Sequence, residues 1–113
     1  MSNNVKSVKE FTKHAVFEGV FVKHFFAKDD TEGRLNNLEV MVIPGFQISP
    51  HVHDNAGEYL YVVDGIGEFL DNDVWVPIKK GDAFIAPMGM THGIRNAGNA
   101  VLLLFSTFSP PIR

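Results

Sequence analysis

The feature that constrains this chain most is a succession of short segments rich in Val, Ile, Phe, Leu and Tyr. Ten glycines and six prolines separate these segments, and no long stretch has helical periodicity. Many short strands with turn residues between them predict an all-β fold, either an antiparallel sandwich or a barrel. The candidate strands cover residues 15–26, 35–43, 47–53, 58–63, 67–70, 74–77, 83–86, 91–95 and 100–108.

The length and composition of the chain limit its organisation. With 113 residues, 45% of them hydrophobic and 20% charged, the sequence predicts one globular domain over residues 1–113. The formal net charge is -3, and no basic cluster is present beyond Lys79 and Lys80. Because phosphate backbones require a cationic surface, we do not expect nucleic acid as a partner.

The sequence also indicates where the protein resides. No apolar run approaches the roughly 18 residues that would cross a bilayer, so no membrane partner is expected. The first residues, MSNNVKSVKEF, lack the apolar segment of a secretory signal, and cysteine is absent. We therefore expect a soluble, cytoplasmic protein, and any bound metal must rely on nitrogen and oxygen ligands.

A candidate metal site stands in the stretch PHVHDNAGEYL. Alternation along a strand would project His51 and His53 from one face. If the residues between them and Glu58 close a hairpin, this carboxylate begins the next strand opposite the two imidazoles. His92 could join them, although periodicity alone does not bring it there. Such a nitrogen and oxygen set suits Mn, Fe, Ni, Co or Zn.

Two longer motifs contain these residues. The segment from residue 45 to 65 reads G-x5-H-x-H-x4-E-x6-G, and the segment from residue 81 to 96 reads G-x5-P-x-G-x2-H-x3-N. Both resemble the conserved motifs of the cupin superfamily, in its small single-domain (cupin 2) type, and every fixed position is met. The resemblance implies a double-stranded β-helix, the cupin jelly-roll barrel. It also implies that the metal ligands are His51, His53, Glu58 and His92.

Strand parity supplies a predicted substrate pocket, although no catalytic residue beyond the ligands can be named. Residues that share the face of Glu58 or of His51, or that lie near His92, are the candidates. His14 and His24 fall outside both motifs and are interpreted as ordinary strand or surface residues. The predicted pocket consists of Gln47, Ser49, Leu60, Val62, Met88, Met90 and Ile94.

Several strands, notably VFEGVFVKHFF and VLLLFSTF, are apolar on both faces. One face can fill the barrel, and a second copy of the chain would cover the other, so a homodimer is expected. The alternative is that the amino-terminal segment folds back over its own barrel.

The function remains open among three hypotheses. The first is a metal-dependent enzyme that acts on a small, oxygen-chelating organic substrate, with dioxygenase, decarboxylase, isomerase or lyase chemistry. The second is a non-catalytic protein that uses the same pocket to bind or sense a small ligand. The third is a structural cupin with a vestigial site, since one fold can host many functions.

Overall fold

The computed structural model describes residues 3–113, which form ten strands and one short 3₁₀ turn at Lys28–Asp30. The all-β prediction is confirmed, and no α-helix occurs in the described part of the chain. It therefore contains no helix able to cross a membrane. The strands are β1 Thr12–Lys13, β2 Val20–His24, β3 Asn36–Val42, β4 Gln47–His51, β5 Gly57–Asp64, β6 Ile66–Asp71, β7 Val74–Lys79, β8 Ala83–Ala86, β9 His92–Asn96 and β10 Leu102–Ser109.

The strands form two sheets in which all neighbours are antiparallel. A six-stranded sheet has the order β1-β2-β3-β10-β5-β8, and a four-stranded sheet has the order β4-β9-β6-β7. Consecutive strands β3, β4 and β5 alternate between the sheets, which is the arrangement of a double-stranded β-helix. The core therefore lies between the two sheets.

Strand β10 illustrates how side-chain alternation builds this core. Leu102, Leu104, Ser106 and Phe108 are buried, whereas the residues between them are only half-buried. Period-two alternation accounts for this difference, because successive side chains point to opposite faces of the sheet. Burying each large apolar side chain contributes roughly 1.5–3 kcal/mol relative to leaving it exposed. One polar residue, Ser106, interrupts the apolar inner face.

The first predicted strand is the one that differs most from the structure. The sequence predicted continuous strand over residues 15–26, but only Val20–His24 is extended, and a separate strand forms at Thr12–Lys13. The reason is a turn: the His14 ring accepts hydrogen bonds from the backbone N–H groups of Val16 and Phe17. Such local side-chain bonds compete with sheet pairing.

The turn between β5 and β6 requires glycine. Gly65 has a φ of +91°, and a Cβ atom there would lie 2.5 Å from the carbonyl oxygen of Val101. A side chain at this position would therefore clash with backbone and adopt an unfavourable conformation. The close approach holds the start of β6 against the segment that leads into β10.

Candidate metal centre

Sheet pairing brings three histidines together at one end of the barrel. His51 ends β4 and lies opposite His92, the first residue of β9. His53 follows β4, and its carbonyl oxygen accepts a hydrogen bond of 2.9 Å from the N–H of Gly89, in the loop before β9. One nitrogen from each of the three rings lies within 4.8 Å of the others. The Nε2 atoms of His51 and His53 are only 3.1 Å apart.

Glu58 reaches the histidines from the opposite sheet. The predicted hairpin between β4 and β5 is wrong, because β4 pairs with β9 whereas β5 pairs with β10 and β8. Glu58 nevertheless points into the barrel, and its Oε1 atom lies 3.4 Å from Nε2 of His92. The candidate ligand atoms therefore come from both sheets.

A buried serine orients this carboxylate. Ser106 is fully buried on β10, and its hydroxyl donates a hydrogen bond of 2.6 Å to Oε2 of Glu58. A bond of this length to an ionised acceptor is among the stronger protein hydrogen bonds. The motifs do not include Ser106, but a single inward serine in an apolar strand was a signal that the sequence already contained.

Backbone carbonyls determine which imidazole nitrogen faces the cluster. Nδ1 of His51 lies 2.7 Å from the carbonyl oxygen of Ser49, and Nδ1 of His92 lies 3.1 Å from that of Met90. Since a carbonyl can only accept, Nδ1 must be the protonated nitrogen in each neutral ring, leaving an Nε2 lone pair toward the cluster.

The residues fit a divalent transition metal. Nε2 of His92 is buried, and no hydrogen bond reaches it from residues 3–113. In the neutral ring the Nε2 lone pair faces another acceptor, Oε1 of Glu58 at 3.4 Å, and a metal ion coordinated by both would satisfy them. Three imidazoles and one carboxylate also form the donor set that Mn, Fe, Co, Ni and Zn accept. The cluster could therefore hold such an ion.

The pKa of His92 is shifted in the opposite direction from the pKa values of His51 and His53. Burial lowers the pKa of His51 and of His53, so both stay neutral at pH 7. Burial also acts to lower the pKa of His92, but the Glu58 carboxylate and the Met90 carbonyl outweigh it and raise this pKa overall. Without metal, His92 is therefore the ring that holds a proton most readily, and metal binding would displace it.

A cavity of about 630 Å³ adjoins the four side chains. Its wall is mainly apolar and includes Val22, Leu38, Val40, Ile48 and Phe108. A volume of this order lies within the range of small-molecule sites. The candidate metal centre and the cavity together have the form of a ligand pocket.

The predicted pocket residues do not lie together in the structure. Ile94 lines the cavity. Leu60 and Val62 are buried in the core and do not line the cavity. Met90 is half-buried against that core, whereas Met88 is 53% exposed. Their role in substrate binding stays a prediction.

The expected placement of Gln47 and Ser49 needs correction. Both residues line a separate, shallower pocket of about 400 Å³, and Ile48 lines the main cavity instead. The cause is a register shift between Ile48 and His51 in the pairing of β4 with β9. Because side chains alternate with a period of two, a shift of one residue exchanges the faces of a strand.

Two histidines outside the motifs also line the main cavity. His14 follows β1, and His24 ends β2 on the same face as Val22. The interpretation of these histidines as ordinary strand or surface residues is therefore incomplete. The sequence could have indicated the position of His24, because residues 20, 22 and 24 lie on the same face of a strand and Val20 and Val22 are apolar.

Comparisons with known proteins agree with this geometry. Residues 38–108 match the family model described as Cupin domain. An oxalate-binding protein from Thermotoga maritima is 33% identical over 84 residues, which cover 74% of this chain and 69% of that protein. A germin-like protein from Morus alba is 38% identical over 60% of this chain, which spans only 35% of that relative.

A solved structure shares the whole fold. A Thermotoga maritima protein described as a predicted oxalate decarboxylase superimposes with a TM-score of 0.81 at 28% sequence identity, covering 88% of this chain and 90% of that one. The family match extends over more than half of the chain and includes all four candidate ligands. This chain is a member of the cupin family.

Proposed function

We propose that the protein binds one divalent transition metal, either Mn, Fe, Ni, Co or Zn, through His51, His53, Glu58 and His92. The observation that carries this proposal is the convergence of the four side chains, with Nε2 of His92 buried and unsatisfied among residues 3–113. Carbonyl groups behind two of the rings and Ser106 behind the carboxylate support it. Such outer contacts orient the ligands of metal sites.

The substrate is a small organic molecule that chelates through two oxygens, such as an α-keto acid, a dicarboxylate, a catechol-like diol or a β-diketone. When bound, the metal supplies Lewis acidity to these oxygens. The chain supplies the rest of the site. Its apolar wall, with Val22, Leu38 and Val40, would hold the carbon skeleton and exclude water from the reacting end. Dioxygenase, decarboxylase, isomerase or lyase chemistry is compatible with this arrangement.

The names of the relatives favour a carboxylate ligand. The relative and the solved structure from Thermotoga maritima are each described in terms of oxalate, which is itself a dicarboxylate that chelates through two oxygens. However, oxalate would fill only a small part of a cavity of about 630 Å³. We therefore favour a larger acid, whose skeleton contacts the apolar wall.

The alternative function is non-catalytic binding of the same kind of ligand. One relative is described as an oxalate-binding protein, without a reaction. In addition, among residues 3–113 no acid or base outside the candidate ligand set forms a hydrogen bond with any of the four ligands. A reaction that needs a separate proton donor would therefore depend on a group farther along the cavity.

Calorimetry with a panel of oxygen chelators tests the proposal. We expect at least one chelator to bind the metal-loaded protein and to fail with the metal-free protein and with the His53→Ala variant. A best ligand that binds equally well without metal would instead indicate a structural or vestigial ion. For the ligand that binds, carbon dioxide release, oxygen uptake and any chemical change of the ligand seen by NMR, each with Mn- and Fe-loaded protein, separate an enzyme from a binding protein.

We further propose that the protein is a homodimer. The first and last predicted strands have apolar residues on both faces. In addition, Tyr59 and Ile85 are direct cross-strand neighbours on the outer face of the six-stranded sheet. Tyr59 is 48% exposed and Ile85 is 55% exposed. A second copy of the chain would cover this apolar surface.

A further inference from the structure

The inner face of the six-stranded sheet carries two polar residues that the candidate metal centre does not use. His24 ends β2 and Asn36 begins β3, and both line the cavity of about 630 Å³. His24 has the parity of buried Val22, and Asn36 has the parity of buried Val40. Polar side chains on an otherwise apolar inner face are costly unless they form hydrogen bonds.

Strand register places these two residues at a defined distance from the candidate ligands. Asn36 lies directly opposite Phe108, which lies opposite Glu58 on the next strand. Two strand spacings therefore separate the backbones of Asn36 and Glu58, which is roughly 10 Å. His24 lies opposite Leu38, so it is the diagonal neighbour of Asn36, at about 7–8 Å between Cα atoms. One small group can therefore contact both side chains.

Asn36 presents an amide donor. Its Oδ1 atom accepts a hydrogen bond of 2.8 Å from the backbone N–H of Ile112. Because a backbone N–H needs an acceptor, this bond identifies the oxygen of the side chain and leaves the Nδ2 group on the other side. The residue is only 1% exposed, yet its Nδ2 group forms no hydrogen bond with residues 3–113. Its N–H groups are therefore available to a ligand.

His24 has a polar atom without a partner. Its Nδ1 atom is buried, and no hydrogen bond reaches it from residues 3–113. Burial lowers the pKa of His24, so the ring is neutral at pH 7 and Nδ1 either donates or accepts a hydrogen bond. A buried polar atom of this kind is explained by a ligand or by an ordered water.

A hydroxyl group matches these two residues whichever tautomer His24 adopts. The hydroxyl oxygen accepts a hydrogen bond from Nδ2 of Asn36. The same group donates to Nδ1 of His24 or, when Nδ1 is protonated, accepts a second hydrogen bond from it. A carbonyl oxygen would satisfy only the second tautomer. A carboxylate would find no charged partner in either side chain, and burying it there would be costly.

We propose that Asn36 and His24 bind a hydroxyl group of the substrate, at the far end of a carbon skeleton whose other end chelates the metal through two oxygens. The proposal rests on the proposed function, since the chelating pair is assigned to the metal. Phe108 lines the cavity and lies between Asn36 and Glu58 in the sheet, so it would contact the middle of the skeleton. Selectivity then depends on the length between the chelating oxygens and the hydroxyl group.

Matched oxamates test this inference by calorimetry on Zn²⁺-loaded protein. An oxamate chelates through a carboxylate oxygen and an amide oxygen, and its nitrogen can carry a hydroxyalkyl chain of three, four or five carbons. Each compound is compared with the alkyl oxamate of equal length in which a methyl group replaces the hydroxyl group. Because the methyl compound leaves two buried polar atoms unpaired, we expect at least one hydroxyl compound to bind about tenfold more tightly than its methyl counterpart.

Variants show whether the two side chains cause that preference. His24→Phe and Asn36→Ala should each abolish it, and His24→Phe should still bind the methyl compound. Asn37→Ala is the matched control and should keep the preference, because the Asn37 side chain likewise accepts from a backbone N–H, that of Phe26, but does not line the cavity. His24→Phe leaves the bond to Ile112 in place, so it decides the matter if Asn36→Ala does not fold. Equal affinities in every pair would mean that the two polar atoms hold only an ordered water. That result, or a preference that survives in the folded variants, would overturn the proposal.

The same data separate this proposal from the proposed function. If the methyl compounds require metal but no hydroxyl compound is preferred, the hydroxyl site is refuted and the metal site stands. If the preference depends on His24 in both metal-free and loaded protein and the methyl compounds do not require metal, the role of the metal is refuted instead. If no oxamate binds in any form, both proposals are overturned.

Discussion

Replacing Ser106 with alanine should weaken metal binding without touching any ligand atom. The Ser106 hydroxyl donates its 2.6 Å hydrogen bond to Oε2 of Glu58, and both residues are buried. A hydrogen bond to a charged group contributes about 1.5–3 kcal/mol. Because 1.4 kcal/mol corresponds to a factor of ten, we expect Zn²⁺ affinity to fall about 10- to 100-fold, a range typical of outer contacts to metal ligands.

The assay is a competition titration of Zn²⁺ between the protein and a chromophoric chelator. Ser109→Ala is the matched control, because the Ser109 hydroxyl lies on the same strand but donates to the backbone oxygen of Arg34 instead. Ser106→Thr keeps a hydroxyl and should retain most of the affinity. An unchanged affinity in folded Ser106→Ala protein would show that Glu58 needs no orientation by Ser106, and that the assigned role of this hydrogen bond is wrong.

Four further predictions follow from the structure. Elemental analysis should find about one metal ion per wild-type chain and strong loss in His51→Ala and His92→Ala, because both rings are proposed ligands; full occupancy in either variant would remove that residue from the ligand set. Metal affinity should fall as pH drops, and the fall should begin above the ordinary imidazole pKa of about 6.5, since a proton competes at His92, whose pKa is raised in the metal-free protein; a flat response would contradict histidine ligation. Light scattering should give twice the mass of one chain, whereas a monomer would mean that the exposed apolar surface with Tyr59 and Ile85 is not an interface. In urea unfolding, Leu104→Ala, which removes a fully buried side chain, should lower the free energy of unfolding by about 2–5 kcal/mol, whereas exposed Val101→Ala should change it by less than about 0.5 kcal/mol.

Much of the fold could be predicted from local patterns. The short segments rich in Val, Ile, Phe, Leu and Tyr and the glycine and proline turns between them were enough to indicate short antiparallel strands. The segment before β2 was predicted incorrectly, because the bonds from backbone N–H groups to the His14 ring form a turn that no period-two pattern reveals. Local periodicity describes one strand at a time and is insensitive to such competing contacts.

The candidate metal centre, too, could be predicted only in part from the sequence. His51 and His53 are neighbours along the chain, so their spacing alone indicated a pair, and the cupin motifs added Glu58 and His92. Only the pairing of β4 with β9 places His51 opposite His92, and only the packing of the two sheets brings Glu58 to them. These contacts join residues far apart in sequence, where strand parity carries no information.

The cavity beyond the ligands depends on tertiary structure almost entirely. A register shift in β4 turns Ile48 toward the cavity and places Gln47 and Ser49 in a separate pocket. The folding of β2 and of the final residues brings His24 and Arg113 to the same cavity. Sequence therefore determined which residues could bind a metal, because ligand chemistry is a property of the side chain. Which residues meet the substrate was decided by sheet packing, because a cavity is formed by surfaces from distant parts of the chain.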